Sequence, residues 1–138
     1  METHRKHILV ADDDYDNFLL TMDAAKEAGL ECDLHWVKDG EELMDYLLRR
    51  GAYRVSNSSP VPSFILLDLN MPKMNGHEAL KEIRSNPGLA GIPIIILTVS
   101  TAEEDIVRSY ELGANAYISK LQNFDLLVRF MKSLKKYL

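Results

Sequence analysis

Two uninterrupted apolar runs, Phe64-Ile65-Leu66-Leu67 and Ile92-Pro93-Ile94-Ile95-Ile96-Leu97, constrain this chain more than any other feature. A strand solvated on one face alternates apolar with polar residues. A run without alternation is buried on both faces, as in a parallel sheet. Pro93 stands near the start of its run, where a missing N–H is tolerated. The first run ends on a carboxylate, Asp68, and a loop marked by Pro72 and Gly76 follows. Ligands of open α/β sheets collect at the carboxyl ends of the strands, so Asp68 stands where chemistry is expected.

The rest of the chain supplies partners for these strands. His7 to Ala11 reads as a short buried strand that runs into Asp12-Asp13-Asp14. A helical stretch continues to about Ala28, with Phe18, Leu19, Met22 and Ala25 on one face and Gly29 as its stop. Cys32 to Val37 reads as a strand. Asp39 and Glu42 have capping-box spacing before a helix that turns Leu43, Met44, Leu47 and Leu48 inward. Gly51 to Pro62 has no period and is expected to be a surface loop, long for its place. A third helix spans about His77 to Ser85, with Ala79, Leu80 and Ile83 inward, and Asn86-Pro87-Gly88 stops it. Thr101 with Glu104 predicts a capped fourth helix that ends near Leu112. Ala116 to Ser119 is a short fifth strand leading into Lys120. The last helix, about Asn123 to Lys136, places Phe124, Leu127, Val128, Met131 and Leu134 at core spacing.

Five successive βα units imply a doubly wound (βα)5 three-layer α/β sandwich with right-handed crossovers. The expected fold is flavodoxin-like, a parallel sheet of order 2-1-3-4-5, and residues 1–138 form one domain. In that order the switch point lies between strands one and three, so the acids after strand one and Asp68 converge on one crevice. Composition excludes little but consistently. A net charge of −5 argues against nucleic acid as the main partner. The single cysteine, Cys32, excludes an intrachain disulfide and suits a reducing compartment. No apolar run approaches the roughly 20 residues of a spanning helix, and the polar start lacks a signal-peptide core. A cytoplasmic protein without membrane contact is expected.

Carboxylates gathered at one sheet edge raise one another's pKa or take up a cation. A hard divalent ion such as magnesium uses one or two protein carboxylates, keeps several waters and accepts phosphate oxygens. The alternative is that Asp12 to Asp14 cap the first helix and face solvent, and Asp13 or Asp14 could do both. Thr98 and Lys120 end strands four and five at the same edge. Carboxylate, metal, hydroxyl and ammonium together are suited to holding a phosphoryl group.

These residues also carry a resemblance. Val10-Ala11-Asp12-Asp13-Asp14, Leu67-Asp68-Leu69-Asn70-Met71-Pro72-Lys73-Met74-Asn75-Gly76, Leu97-Thr98 and Tyr117-Ile118-Ser119-Lys120 resemble a response-regulator receiver domain of two-component signalling. The resemblance covers essentially the whole chain and is of the single-domain, chemotaxis-regulator-like kind. It implies that Asp68 takes a phosphoryl group from a phosphohistidine on a sensor histidine kinase or phosphotransfer protein. It further implies magnesium (or manganese) bound by Asp13, Asp68 and the main-chain carbonyl of Asn70, with Asp12 acting through a water. Lys120 would bond a phosphoryl oxygen, Thr98 would be drawn toward it, and Tyr117 would swing inward. Val99 and Ser100 would affect access to the phosphoryl group, and Asn70 with Ser100 would tune its loss. Output would pass through the helix 4–strand 5–helix 5 surface. The protein would not be an enzyme beyond its own phosphorylation and dephosphorylation.

The chain departs from the family pattern in two places. Lys120 is followed by Leu121, where receivers carry a cis-proline; the bond is either trans with a remodelled loop, or cis and held by strain. The Gly51–Pro62 loop resembles that of single-domain receivers paired with phytochrome-type kinases. Rival readings fit less well. Asp12-x-Asp14 superficially matches a haloacid-dehalogenase-type phosphatase, but Asp16 stands where that family has Thr or Val, and its nucleophile belongs on strand one. A flavin binder of the flavodoxin type would need a Ser/Thr/Gly-rich phosphate loop where this chain has three aspartates. A degenerate receiver that binds partners without phosphorylation is the remaining alternative. His4, His7, His35 and His77 share no spacing that predicts a metal or catalytic site. Arg129, Lys132, Lys135 and Lys136 read as a solvated face favourable at a helix C-terminus, with a homodimer or partner surface as the alternative. Only Tyr137 and Leu138 follow the last helix, so output is expected through another protein, through dimerisation or by relay.

Overall fold

The computed structural model describes residues 6–54, 60–120 and 124–137. Five strands form one parallel sheet of order β2-β1-β3-β4-β5, as the apolar runs predict. They are β1 (Lys6–Ala11), β2 (Cys32–Val37), β3 (Phe64–Leu67), β4 (Ile94–Thr98) and β5 (Ala116–Ser119). Five helices alternate with them: α1 (Tyr15–Glu27), α2 (Gly40–Leu48), α3 (Gly76–Ser85), α4 (Glu103–Glu111) and α5 (Phe124–Ser133).

The absence of alternation in β1, β3 and β4 has a direct cause. Ile8, Val10, Phe64, Leu66, Ile95 and Leu97 point into a core shared with Phe18, Ala24 and Ala25 of α1 and Val128 and Met131 of α5. Their neighbours Leu9, Ala11, Ile65, Leu67, Ile94 and Ile96 point into a second core with Leu43 and Met44 of α2 and Ala79, Leu80 and Ile83 of α3. Each strand is thus clad on both sides, and period-two patterning disappears.

Local chemistry sets the ends, and several expectations are corrected there. Asp14 caps α1 by accepting the Asp16 N–H, which brings Phe18, Thr21, Ala24 and Ala25 inward and leaves Leu19 exposed on the flank. Asp39 caps α2 through the Glu42 N–H, but the Glu42 carboxylate returns to the N–H of Lys38, one residue earlier than a capping box requires. Tyr46 is buried in α2 alongside the expected residues, while Leu47 and Leu48 are only partly buried. A reciprocal capping box does occur at α3, between Asn75 and Glu78. The Thr101 cap does not form. The N-cap of α4 is Ala102, without a side-chain bond, because Ser100 supplies the local polar contacts: its hydroxyl accepts the Ala102 N–H and donates to Asp105. Ile92 and Pro93 precede β4 rather than opening it. The stretch after α2 begins with a short 3-10 turn at Gly51–Tyr53, and residues 55–59 lie outside the described residues. Phe124 is exposed at the start of α5.

Two loops meet on the side of the sheet that carries Asp68. A Cβ added to Gly40 would stand 2.1 Å from the Met74 carbonyl oxygen, and one added to Gly76 would stand 2.3 Å from that of Asp68. The Gly40 N–H donates to Met74 O (3.1 Å) and the Gly76 N–H to Leu69 O (3.0 Å). The Asp68–Gly76 turn is therefore held against the start of α2 by backbone contacts that admit no side chain.

Candidate functional site

The switch point of the sheet gathers the acids from distant parts of the chain. Asp12 and Asp13 follow β1, and Asp68 follows β3, whose backbone N–H donates to Ala11 O (2.9 Å). One carboxylate oxygen from each of Asp12, Asp13 and Asp68 lies within 4.8 Å of the others. Asp12 and Asp68 are buried and Asp13 is exposed, so the cluster opens to solvent on one side. There a cleft of about 580 Å³ is lined by Asp13, Leu69, Asn70, Met71, Pro72 and Asn75, together with His77 and Asp105. Asp14 does not join the cluster; its side chain is used in the cap of α1.

Lys120, just past β5, reaches back across the sheet edge. Its ammonium pairs with Asp12 Oδ2 and lies 3.3 Å from Asp68 Oδ2. Burial pushes the Asp12 carboxyl above its ordinary value, against the opposing pull of the Lys120 hydrogen bond and charge. Backbone donors hold the other oxygens: the Asp14 N–H donates to Asp12 Oδ1 (2.9 Å) and the Asn70 N–H to Asp68 Oδ1 (3.3 Å). The Lys120–Leu121 bond lies outside the described residues.

The remaining predicted residues divide into two groups. Thr98 ends β4 fully buried, and its hydroxyl has no hydrogen-bond partner among the described residues. An unmade bond of this kind costs about 1–3 kcal/mol. Val99 is half exposed and, with Lys120, Leu20 and Phe124, lines an apolar groove between α1 and α5. Ser100 and Tyr117 belong to a separate arrangement. The Tyr117 hydroxyl donates to Ser100 O (3.0 Å), and the Ser100 hydroxyl donates to Asp105 Oδ2 (2.6 Å) on α4. The Asn70 side chain is exposed on the cleft rim.

Sequence reasoning missed three supports of the site. The Trp36 indole N–H donates to the backbone carbonyl of Asp12 (2.8 Å), and its ring lies 4.8 Å from Tyr15 and 6.1 Å from Phe18. No sequence signal foretells that bond, because it depends on the register that pairs Trp36 with Val10. Lys73, at φ 66°, lies 3.9 Å from the buried Asp39 and ties the Asp68 loop to the cap of α2. Asn75 with Glu78 had capping-box spacing and could have been read directly.

Three carboxylates against one ammonium leave the site anionic. An all-oxygen donor set this compact fits a hard divalent cation.

A family model for the response regulator receiver domain matches residues 8–132. The chain is 36% identical over 132 residues to response regulator Rcp1 of Synechocystis sp., covering 96% of this chain and 88% of that protein. It superposes on the phosphorylated cyanobacterial phytochrome response regulator RcpA with a TM-score of 0.85 at 36% identity, over 97% of this chain and 94% of that one. The Mn2+-bound form of Rcp1 is also similar, with a TM-score of 0.82 at 37% identity over 95% and 92% of the two chains. Among the described residues no helix is long and apolar enough to cross a membrane.

Proposed function

The chain belongs to the response regulator receiver domain family, and from that premise we propose that it is a single-domain phosphorylation switch acting on Asp68. One observation carries this reading: carboxylates of Asp12, Asp13 and Asp68 converge within 4.8 Å while Lys120 pairs with two of them. A carboxylate oxygen of Asp68 attacks the phosphorus of a phosphohistidine on a partner kinase or phosphotransfer protein. The P–N bond breaks as the new P–O bond forms, and the imidazole leaves with its electron pair. Lys120 moves from bridging two carboxylates to bonding a phosphoryl oxygen, and the hydroxyl of Thr98 gains the partner it lacks.

Asp13, Asp68 and the Asn70 carbonyl would hold Mg2+, or Mn2+, with Asp12 contributing through water. The bound ion supplies charge neutralisation for the anionic site and the incoming phosphoryl oxygens. The Mn2+-bound relative and the all-oxygen donor set support that assignment. A phosphorylation-linked homodimer is the alternative to a separate output partner. The buried thiol of Cys32, not engaged in a disulfide, suits the cytoplasm.

Output through α4, β5 and α5 is supported by packing. Ser109 is the only buried residue of α4, and no residue of β5 is fully buried. Elements with so few buried contacts move at low cost. The Tyr117–Ser100–Asp105 chain of hydrogen bonds links that surface to the loop after Thr98.

Incubation with acetyl phosphate and Mg2+, read by intact mass, tests the assignment. Wild type is expected to gain one phosphoryl group; Asp68→Asn, or wild type with chelator, is expected to gain none. Equal labelling of wild type and Asp68→Asn would overturn it.

A further inference from the structure

The geometry points to a second metal site, at the opposite end of β1, where His7, His35 and Asp33 take a borderline first-row divalent ion such as Ni2+ or Cu2+. No spacing in the sequence signals it, because parallel register creates it. His7 is paired with Asp33 and Leu9 with His35, so His7, Asp33 and His35 share one face of the two strands. His7 Nδ1 and His35 Nε2 face each other at 2.9 Å, and Asp33 Oδ2 lies 3.9 Å from the same His7 nitrogen.

That nitrogen separation has chemical meaning. Imidazole nitrogens bind such ions at about 2.0–2.1 Å, and two of them at right angles on one ion stand about 2.9 Å apart. The pair is already at cis-ligand distance, and the Asp33 carboxylate, 3.9 Å from His7 Nδ1, must swing toward His35 to join as the third donor. One of the two facing nitrogens now carries the proton of a hydrogen bond. Binding moves that proton to the other nitrogen of the same ring, so both neutral imidazoles present lone pairs and no proton is lost. Neutral rings are the ligating form, and burial with the neighbouring His7 holds His35 below its ordinary pKa.

Access and selectivity also fit. His7 and Asp33 side chains are 26% and 45% exposed, so water can complete the coordination sphere. Nitrogen donors separate this site from the all-oxygen cluster, which prefers a hard ion. His7 and Asp12 are five residues apart along an extended strand, about 17 Å at about 3.3 Å per residue. The two ions therefore do not share ligands. A bound ion would fasten the edge strand β2 to β1 and leave the acidic crevice untouched.

The test uses untagged full-length protein carrying His4→Ala, with excess Mg2+ to occupy the acidic cluster. Ni2+ titration by calorimetry is expected to give one site per chain, and Cu2+ electron paramagnetic resonance is expected to show coupling to two imidazole nitrogens. His35→Gln and His7→Gln should each weaken Ni2+ binding by about tenfold or more, and Asp33→Asn by less. Thermal melts confirm that each variant is folded, and the partly exposed His7 carries the test if His35→Gln is not. An oxygen-only Cu2+ spectrum, or Ni2+ affinities of both histidine variants within twofold of wild type, would overturn the proposal.

Discussion

Lys120 serves two masters at the residue scale. It neutralises part of the charge on Asp12 and Asp68, and it occupies the place a divalent ion would neutralise instead. Lys120→Met is therefore expected to tighten Mg2+ binding, by about fivefold or more if the coupling is ordinary in size, while lowering phosphoryl transfer to Asp68. Calorimetry and intact mass measure the two effects separately, and a fall in both would refute the competition. His35 gives a pH prediction of definite sign. Burial, with the neighbouring His7, holds its folded pKa below the ordinary histidine value, so the unfolded chain binds the extra proton first as pH falls. Stability from neutral His35 is full above about pH 6.5. It is lost as pH drops from there through the folded pKa. Melting temperatures of wild type should fall more steeply between about pH 7 and pH 5, a span that begins just above the unperturbed histidine value and runs below it, than those of His35→Gln. The site acids were legible because they stand at strand ends, which hydrophobic runs locate. The His7–His35 contact was not, since nothing in either local sequence encodes which residues a parallel register brings together.

Elements were legible wherever burial is two-sided and uncertain wherever a cap decides. The continuous run Phe64–Leu67 could be little else, whereas Thr101 lost its role because Ser100 and Asp105 satisfy one another first. Exposed Leu19 and Phe124 show the limit of helical spacing: it defines a stripe but not how wide the neighbouring element covers it. Close backbone approach is also invisible from local pattern. Gly40 is needed because the Met74 carbonyl occupies the place of its Cβ. Gly40→Ala is expected to destabilise the fold by about 1–3 kcal/mol, measured by urea unfolding, and to weaken Mg2+ binding through displacement of the Met71–Met74 turn. Unchanged affinity in a destabilised variant would show that the turn moves without Asp68.

For the whole molecule, sheet order matters more than any single contact. Placing β3 beside β1 is what joins Asp12 and Asp13 to an acid more than fifty residues away, and that order was expected from five βα units read as a flavodoxin-like sheet. Ion binding at the junction cross-links separate parts of the chain and should stabilise the entire domain. At about 100 times its dissociation constant, Mg2+ should add about 2.7 kcal/mol, seen as a rise in melting temperature that Asp68→Asn reduces. A melting temperature indifferent to Mg2+ would count against the junction as its binding place. The indole that holds the Asp12 carbonyl has a consequence of another kind. Trp36 is the only tryptophan in the chain. Its near-ultraviolet emission is therefore a native optical gauge of what occupies the crevice, free of any dye or background from a second indole.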